Sequence, residues 1–217
     1  MLWCYLLLAV LFIKKIKKVE QKLLQCYIPF CFNSLMKSGG KLFMSNIYLR
    51  QATLDDLPRV INIIDGAKKT LRDRGVDQWQ VGYPNNELLE QDIQEDISYV
   101  LILDGEVVGA AALQQGYDKN YQDMTSGTWS KDSDVTYSII HRIAVEPGHQ
   151  GQHLSAALIQ QLLTISHYLG YRDVRIDTHP DNLVMQHVIT SNGFVEQGTI
   201  TMDEDHGIRK AYQILLK

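Results

Sequence analysis

Histidines at positions 141, 149, 153 and 179 carry the side chain that takes and returns a proton near neutral pH. His141 stands in Val135–Val145, which alternates as a strand, and His179 follows the strand-like Val174–Thr178. Both are therefore candidates for general acid or base work. Between them, a turn containing Gly151 leads into an apolar helix that begins near Leu154. The backbone N–H groups of such a turn, with the positive end of the helix, make an anion site suited to a pyrophosphate. Gly151 lets the main chain approach closely. His149 and His153 then fall beside phosphate rather than in the chemistry. Histidine spacing is irregular and no cysteine follows position 31, so no metal site is expected.

Two aromatic segments flank these residues. Gly75–Tyr83 holds Trp79 and Tyr83, and the polar stretch Gln114–Ser133 interleaves Tyr117, Tyr121 and Trp129 with Asp118, Asp123 and Asp132. Aromatic faces beside carboxylates attract an ammonium group. The plainer alternatives are ordinary packing of Trp79 and a mobile surface lid, because loops of that length are either functional or disordered.

The elements that must position these groups follow from periodicity. Thr53–Asp56 has a capping-box pattern, and Leu57, Val60, Ile61, Ile64 and Leu71 then recur at helical spacing. Asn86–Asp96 is a weaker amphipathic helix. Ser98–Leu103 and Val107–Leu113 read as strands joined by a tight turn at Asp104-Gly105. Leu154–Leu169 is a helix closed by Gly170, Asn182–Thr190 another, and Phe194–Met202 and Arg209–Leu216 are two final strands. With a first strand at Asn46–Gln51 the order is β-α-α-β-β-β-α-β-α-β-β, one mixed α/β domain around a buried sheet. By strand alternation, His141 shares a face with Ile143.

The 217 residues are 45% hydrophobic and 21% charged, which excludes a disordered chain, and three cysteines exclude a disulfide scaffold. Charge is uneven. Residues 1–43 hold seven lysines, one acid (Glu20), all three cysteines and four of the five phenylalanines. The rest holds 14 basic and 24 acidic residues, which argues against nucleic acid and favours a cationic partner. Leu2–Ile13 is shorter than the ~20 apolar residues a spanning helix needs, and it lacks a signal peptide's basic start. The leader is read in two ways: a short interfacial anchor, or untranslated sequence ahead of a true start at Met44. The second reading rests on Ser38–Lys41, which can be encoded by a purine-rich stretch like a ribosome-binding site. The working domain is set at 47–217, with 1–43 outside it.

Residues 141–158 resemble the acetyl-CoA motif of the GNAT N-acetyltransferases, in which a strand ending Ile-Ala-Val is followed by Pro and then Gln/Arg-x-x-Gly-x-Gly/Ala opening a helix. Asp177–Asn182 and Ser191–Phe194 are similar to that family's second motif. The resemblance implies the GNAT fold, a mixed central sheet flanked by helices. It also implies acetyl-CoA as co-substrate, bound by Ile143, Ala144, Val145, Gln150, Gly151, Gln152, His153, Leu154, Ser155 and Asn182. His141 and His179 become the catalytic candidates, and Trp79, Tyr83, Tyr117, Tyr121 and Trp129 the acceptor-binding ones. Two departures stand out. His153 and Ser155 occupy the small-residue positions of the motif, and a side chain at 153 is expected to fit if its dihedrals are helical. The tyrosine that protonates the departing thiolate in many relatives is replaced by Ile189.

The reading is a cytoplasmic N-acetyltransferase acting on a primary amine of a small molecule or peptide, with a homodimer left open. Its rivals are a non-catalytic acyl-CoA-binding sensor and a membrane-tethered acetyltransferase.

Overall fold

The computed structural model describes residues 32–38, 41–122, 124–130, 136–149, 151–203 and 207–217. The apolar run Leu2–Ile13, the three cysteines, Gln150, Asp123 and Asp132 lie outside the described residues. Among the described residues nine strands form one sheet: β1 (Phe32–Ser38), β2 (Lys41–Gln51), β3 (Ser98–Leu103), β4 (Glu106–Gln115), β5 (Ser126–Gly127), β6 (Ser138–Val145), β7 (Asp173–Thr178), β8 (Val195–Met202) and β9 (Gly207–Leu215). Their spatial order is β1-β2-β3-β4-β6-β7-β9-β8-β5. Only β6 and β7 run parallel; every other neighbour pair is antiparallel, so the sheet is mixed as expected.

Four helices among the described residues cover its faces: α1 (Leu57–Asp73), α2 (Asn86–Gln94), α3 (Leu154–Tyr168) and α4 (Leu183–Ser191). On one face Val60, Ile63 and Ile64 of α1 and Leu89 and Ile93 of α2 pack against Val100, Ile102 and Ala110. On the other, Leu158, Ile159 and Leu162 of α3 and Ile189 of α4 pack against Leu101, Leu113, Ile140 and Ile176. The central strand β4 is made of small residues where the helices come closest. A Cβ at Gly109 would stand 3.2 Å from the Ala144 carbonyl oxygen and 3.3 Å from the Leu101 Cβ. Gly66 of α1 plays the same part at the rim, where a Cβ would meet the Pro147 ring at 3.1 Å. The helix thereby bears directly on the turn that follows β6.

Local signals act as read. The Thr53 N–H and hydroxyl both donate to the Asp56 carboxylate, at 2.8 and 2.9 Å, and start a short 3-10 turn before α1. Asp104 and Gly105 take φ of 51° and 93°, the left-handed pair a two-residue hairpin needs. The stretch after β4 makes a 3-10 turn at Lys119–Tyr121, and β5 then pairs with β8 at Thr199 and Gly198.

β1 extends the sheet beyond the expected first strand, but it does so as a ribbon. It pairs with β2 over Lys41–Ile47, whereas β3 pairs with β2 over Ile47–Gln51, so the two ladders share only Ile47. A chain beginning at Met44 keeps the whole β2–β3 ladder. It is expected to unfold cooperatively with Tm within about 3 °C of the full chain, a change below ~1 kcal/mol. A larger loss, read by calorimetry, would make the preceding residues part of the domain.

Candidate active site

β6 is regular only as far as His141. Ala112 of β4 faces His141 and Ala110 faces Ala144, so two residues of β6, Arg142 and Ile143, oppose Ala111 alone. This is a β-bulge, and it is made by Arg142 in the left-handed region at φ 50°. It has two consequences. β6 pairs with β7 only over Ser138–Ile140, after which the strands diverge and the β7-side edge of His141–Val145 is left without a ladder partner among the described residues. Side-chain alternation is also reset: Ile140, Ile143 and Val145 pack toward α3, while Ala144 packs toward α1 and α2. His141 therefore does not share a face with Ile143. The expectation from alternation fails because the bulge inserts one residue.

The diverging strands open a cavity of about 550 Å³. Ile143, Ala144 and Val145 line it with their free edge, and Gly151, His153, Leu154 and Ser155 line its far end. Gln152 is exposed and does not line it. The start of α3 has no side-chain cap, so its first-turn N–H groups are available to an anion. His153 is not helical. It takes φ 55°, ψ 24°, keeping the left-handed backbone natural to glycine and putting an exposed imidazole at the cavity rim. His149 Nδ1 is buried and has no hydrogen-bond partner, while its Nε2 lies 3.3 Å from Glu146. Arg59, 2.6 Å from Glu146, holds that carboxyl below its usual pKa. Asn182 lines the cavity too, but its oxygen accepts from the Met185 N–H to cap α4 and its amide donates to Gln78.

A second cavity, of about 1140 Å³, lies between the end of α2 and Gln114–Asn120. His141, Arg142, Tyr83 and Met202 line both cavities and form the wall between them. His141 is 6% exposed; its Nε2 stands 3.4 Å from Asp118 Oδ2, off hydrogen-bonding geometry and with no other partner. Burial works to raise the Asp118 pKa, but the His141 ring, the Asn120 N–H and the Arg142 charge outweigh it and hold the carboxyl low. A lowered carboxyl is an anion at neutral pH. Asp118, read from sequence only as one acid among three, is thus the histidine's carboxylate partner. Arg142 reaches Asp92 with a two-pronged contact at 2.6 and 2.9 Å and donates to the Tyr83 hydroxyl at 3.0 Å. Nothing in the sequence marked Arg142 or Asp92, which lie 50 positions apart.

The remaining candidates fall in different places. Trp79 and Tyr83 line the first cavity. Tyr117 is 71% exposed on the rim of the second. Tyr121 is fully buried, with its edge-on ring 5.6 Å from His141 and its hydroxyl donating to Asp177 at 2.5 Å. Burial drives both that hydroxyl and the Asp177 carboxyl upward. Trp129 stacks on Tyr121, donates to its carbonyl and lies under the Arg175 guanidinium, 4.2 Å from the ring centre. Tyr121 and Trp129 thus build the floor beneath His141 and have no face turned to an acceptor. His179 lines neither cavity; its Nδ1 accepts the Asp181 N–H at 3.1 Å.

Residues 65–194 match the model of the acetyltransferase (GNAT) family. The chain belongs to that family. A GNAT acetyltransferase from Streptococcus agalactiae 2603 is 29% identical, superposes with a TM-score of 0.72 and spans 82% of this chain and 99% of its own. A GNAT acetyltransferase from Listeria monocytogenes 4b F2365 is 18% identical over 84% of this chain and all of its own, with a TM-score of 0.62. Aminoglycoside acetyltransferase AAC(6')-Ib, in complex with coenzyme A and kanamycin, shares the fold at 18% identity and a TM-score of 0.57, over 78% of this chain and 95% of its own. No curated protein matches the chain. GNAT enzymes use acetyl-CoA, and the open β6 edge and uncapped α3 end of this GNAT domain are the groups to which such a molecule can bind.

The Arg142–Asp92 fork holds the bulge. Asp92→Ala leaves a buried guanidinium without its carboxylate, and is expected to lower unfolding free energy by about 3 kcal/mol or more, read by urea denaturation. A loss within ~0.5 kcal/mol, the range of neutral surface changes, would mean that the fork does not hold the strand.

Proposed function

We propose that the chain transfers the acetyl group of acetyl-CoA to a primary amine of a small molecule or peptide. The observation that carries this reading is the position of His141 on the wall between a cavity with an open strand edge and an uncapped helix end, and a second, acidic cavity. Acetyl-CoA supplies the activated acyl group as a thioester. In the first cavity the free N–H and C=O groups of Ile143–Val145 suit the pantetheine amides. Gly151, Leu154 and Ser155, with the α3 N-terminus, suit the pyrophosphate, flanked by Gln150, Gln152 and His153. His149 Nδ1 adds a buried group with no protein partner. In the second cavity an ammonium group arrives beside Asp118 and gives a proton to His141 Nε2. Asp118 stabilises the imidazolium that forms. The freed amine attacks the thioester carbon, the C–S bond breaks, and a nitrogen-bound proton passes to the departing thiolate. His141 is favoured over His179 because only His141 faces either cavity. Among the described residues no helix is long and apolar enough to cross a membrane, and the reading is of an enzyme working in the cytoplasm.

One observation favours a second reading, a sensor that binds acyl-CoA without turnover. Ile189, where many relatives carry the thiolate-protonating tyrosine, is fully buried in the α4 core. Thiol release with a panel of amines separates the two, because a sensor releases none.

Gly151 has φ 80° with open space around it, so Gly151→Asp puts a strained carboxylate at the pyrophosphate end. The folded variant is expected to lose the rise in Tm that acetyl-CoA gives the parent chain. An undiminished rise would remove the assignment. His141→Gln is expected to lower kcat by ~10²-fold or more, with little change in KM for acetyl-CoA, and to flatten the acidic limb of the pH–rate profile. His179→Gln should stay near the parent rate; the reverse ranking would move the role to His179.

A further inference from the structure

The second cavity carries more charge than an amine with one positive centre would use. Asp92, Glu95, Asp96 and Asp118 line it, against two cations, Arg142 and Lys119. Both cations are already engaged: Arg142 grips Asp92, and Lys119 reaches out to Asp203, 2.7 Å away and outside the cavity. Asp118 is held ionised beside His141. That leaves Glu95 and Asp96 as a second, exposed anionic group at the outer wall. They sit at the C-terminal end of α2, where the helix dipole adds negative potential. The helix stops with Asp96 at φ 61°, its N–H donating to Ile93 and that of Ile97 to Asp92. Glutamines 91, 94, 114 and 115 line the same cavity and add neutral polar groups.

A cluster of acids can be mere surface. Here an independent feature points to an occupant: His141, more than nine-tenths buried, lines this cavity with a ring nitrogen that has no hydrogen-bond partner. The anionic groups are therefore arranged in two places, Asp118 beside the reacting histidine and Glu95 with Asp96 at the far rim.

We propose that this cavity takes a di- or polyamine, with one amino group delivered to His141 and Asp118 while a second ammonium group is held by Glu95 and Asp96. The assignment rests on the acetyltransferase reading and names its acceptor class. The volume of about 1140 Å³ accommodates an extended chain, and the exposed Tyr117 ring offers its face to a cationic centre on the way. Selectivity arises because a monoamine satisfies only one of the two anionic groups, and because Coulomb attraction at the rim falls with added salt.

The test compares butylamine, 1,4-diaminobutane and spermidine at fixed acetyl-CoA with the full chain, following thiol release. The diamine and triamine are expected to exceed the monoamine in kcat/KM by ~10-fold or more, equivalent to about 1.4 kcal/mol, with an advantage that shrinks at high salt. In Glu95→Gln/Asp96→Asn, exposed positions whose exchange should leave the fold intact, the ratio is expected to fall toward one while KM for acetyl-CoA is held. Equal kcat/KM for all three amines, or an advantage that survives the double substitution, overturns the proposal and leaves the acetyltransferase reading standing. If no amine releases thiol, that reading fails, and calorimetric titration of spermidine decides the site. Binding lost in the double variant keeps a polyamine site; binding unaffected by it, or absent, removes the site as well.

Discussion

The interaction on which the rest of the site depends is the grip of Arg142 on Asp92. A left-handed arginine in the middle of a strand is unfavourable by about 1–2 kcal/mol, and it persists because the side chain is fixed at both ends of its guanidinium, by Asp92 and by Tyr83. The bulge made in this way ends the β6–β7 ladder after Ile140. Were β6 regular, β7 would continue beside it and consume the strand edge now facing the cavity. The open edge, the wall between the two cavities and the opposite facing of His141 and Ile143 therefore share one cause. The cause is long-range, because it ties a helix on one face to a strand in the middle of the sheet.

The rest of the machinery braces this opening. Small residues along β4 let the helices on both faces approach, and the glycine at position 66 lets α1 press on Pro147, fixing the turn that leads to α3. That turn ends at His153 in a glycine-like conformation, with the helix beginning uncapped behind it. A capping side chain would satisfy the first-turn N–H groups internally; without one they are directed outward, where an anion can complete them.

Beneath His141 lies a polar core that is unusual in being aromatic and charged together. Arg175, fully buried, is paired with Asp173 at 3.0 Å and held between the rings of Trp129 and Tyr137. Those rings and Tyr121 form a floor that reaches the first cavity through the Tyr121–Asp177 contact. The floor restricts the histidine to a position from which it meets Asp118, so the polar stretch after β4 supports the His141 side chain.

The sequence by itself determined the order of the helices and of every strand except β1 and β5, the two motifs and the turn residues, because these depend on local periodicity and local backbone preference. Leu57–Leu71, Leu154–Leu169 and Asp104-Gly105 needed no knowledge of their neighbours in space. It also brought out His141 as a candidate, on residue type and proximity to the motif strand. It did not reveal which face His141 occupies, since alternation assumes an unbroken strand and the bulge depends on Asp92, on another element. It separated neither His141 from His179 nor Tyr117 from Tyr121. Exposure is a property of packing, and Tyr121 and Trp129 are drawn inward by Arg175 and Asp177, side chains more than 40 positions away. Composition announced an acidic domain, but only the tertiary structure gathered four of its carboxylates into one cavity beside His141. Charge is additive along a chain; the field at a site depends on which charges the fold brings together.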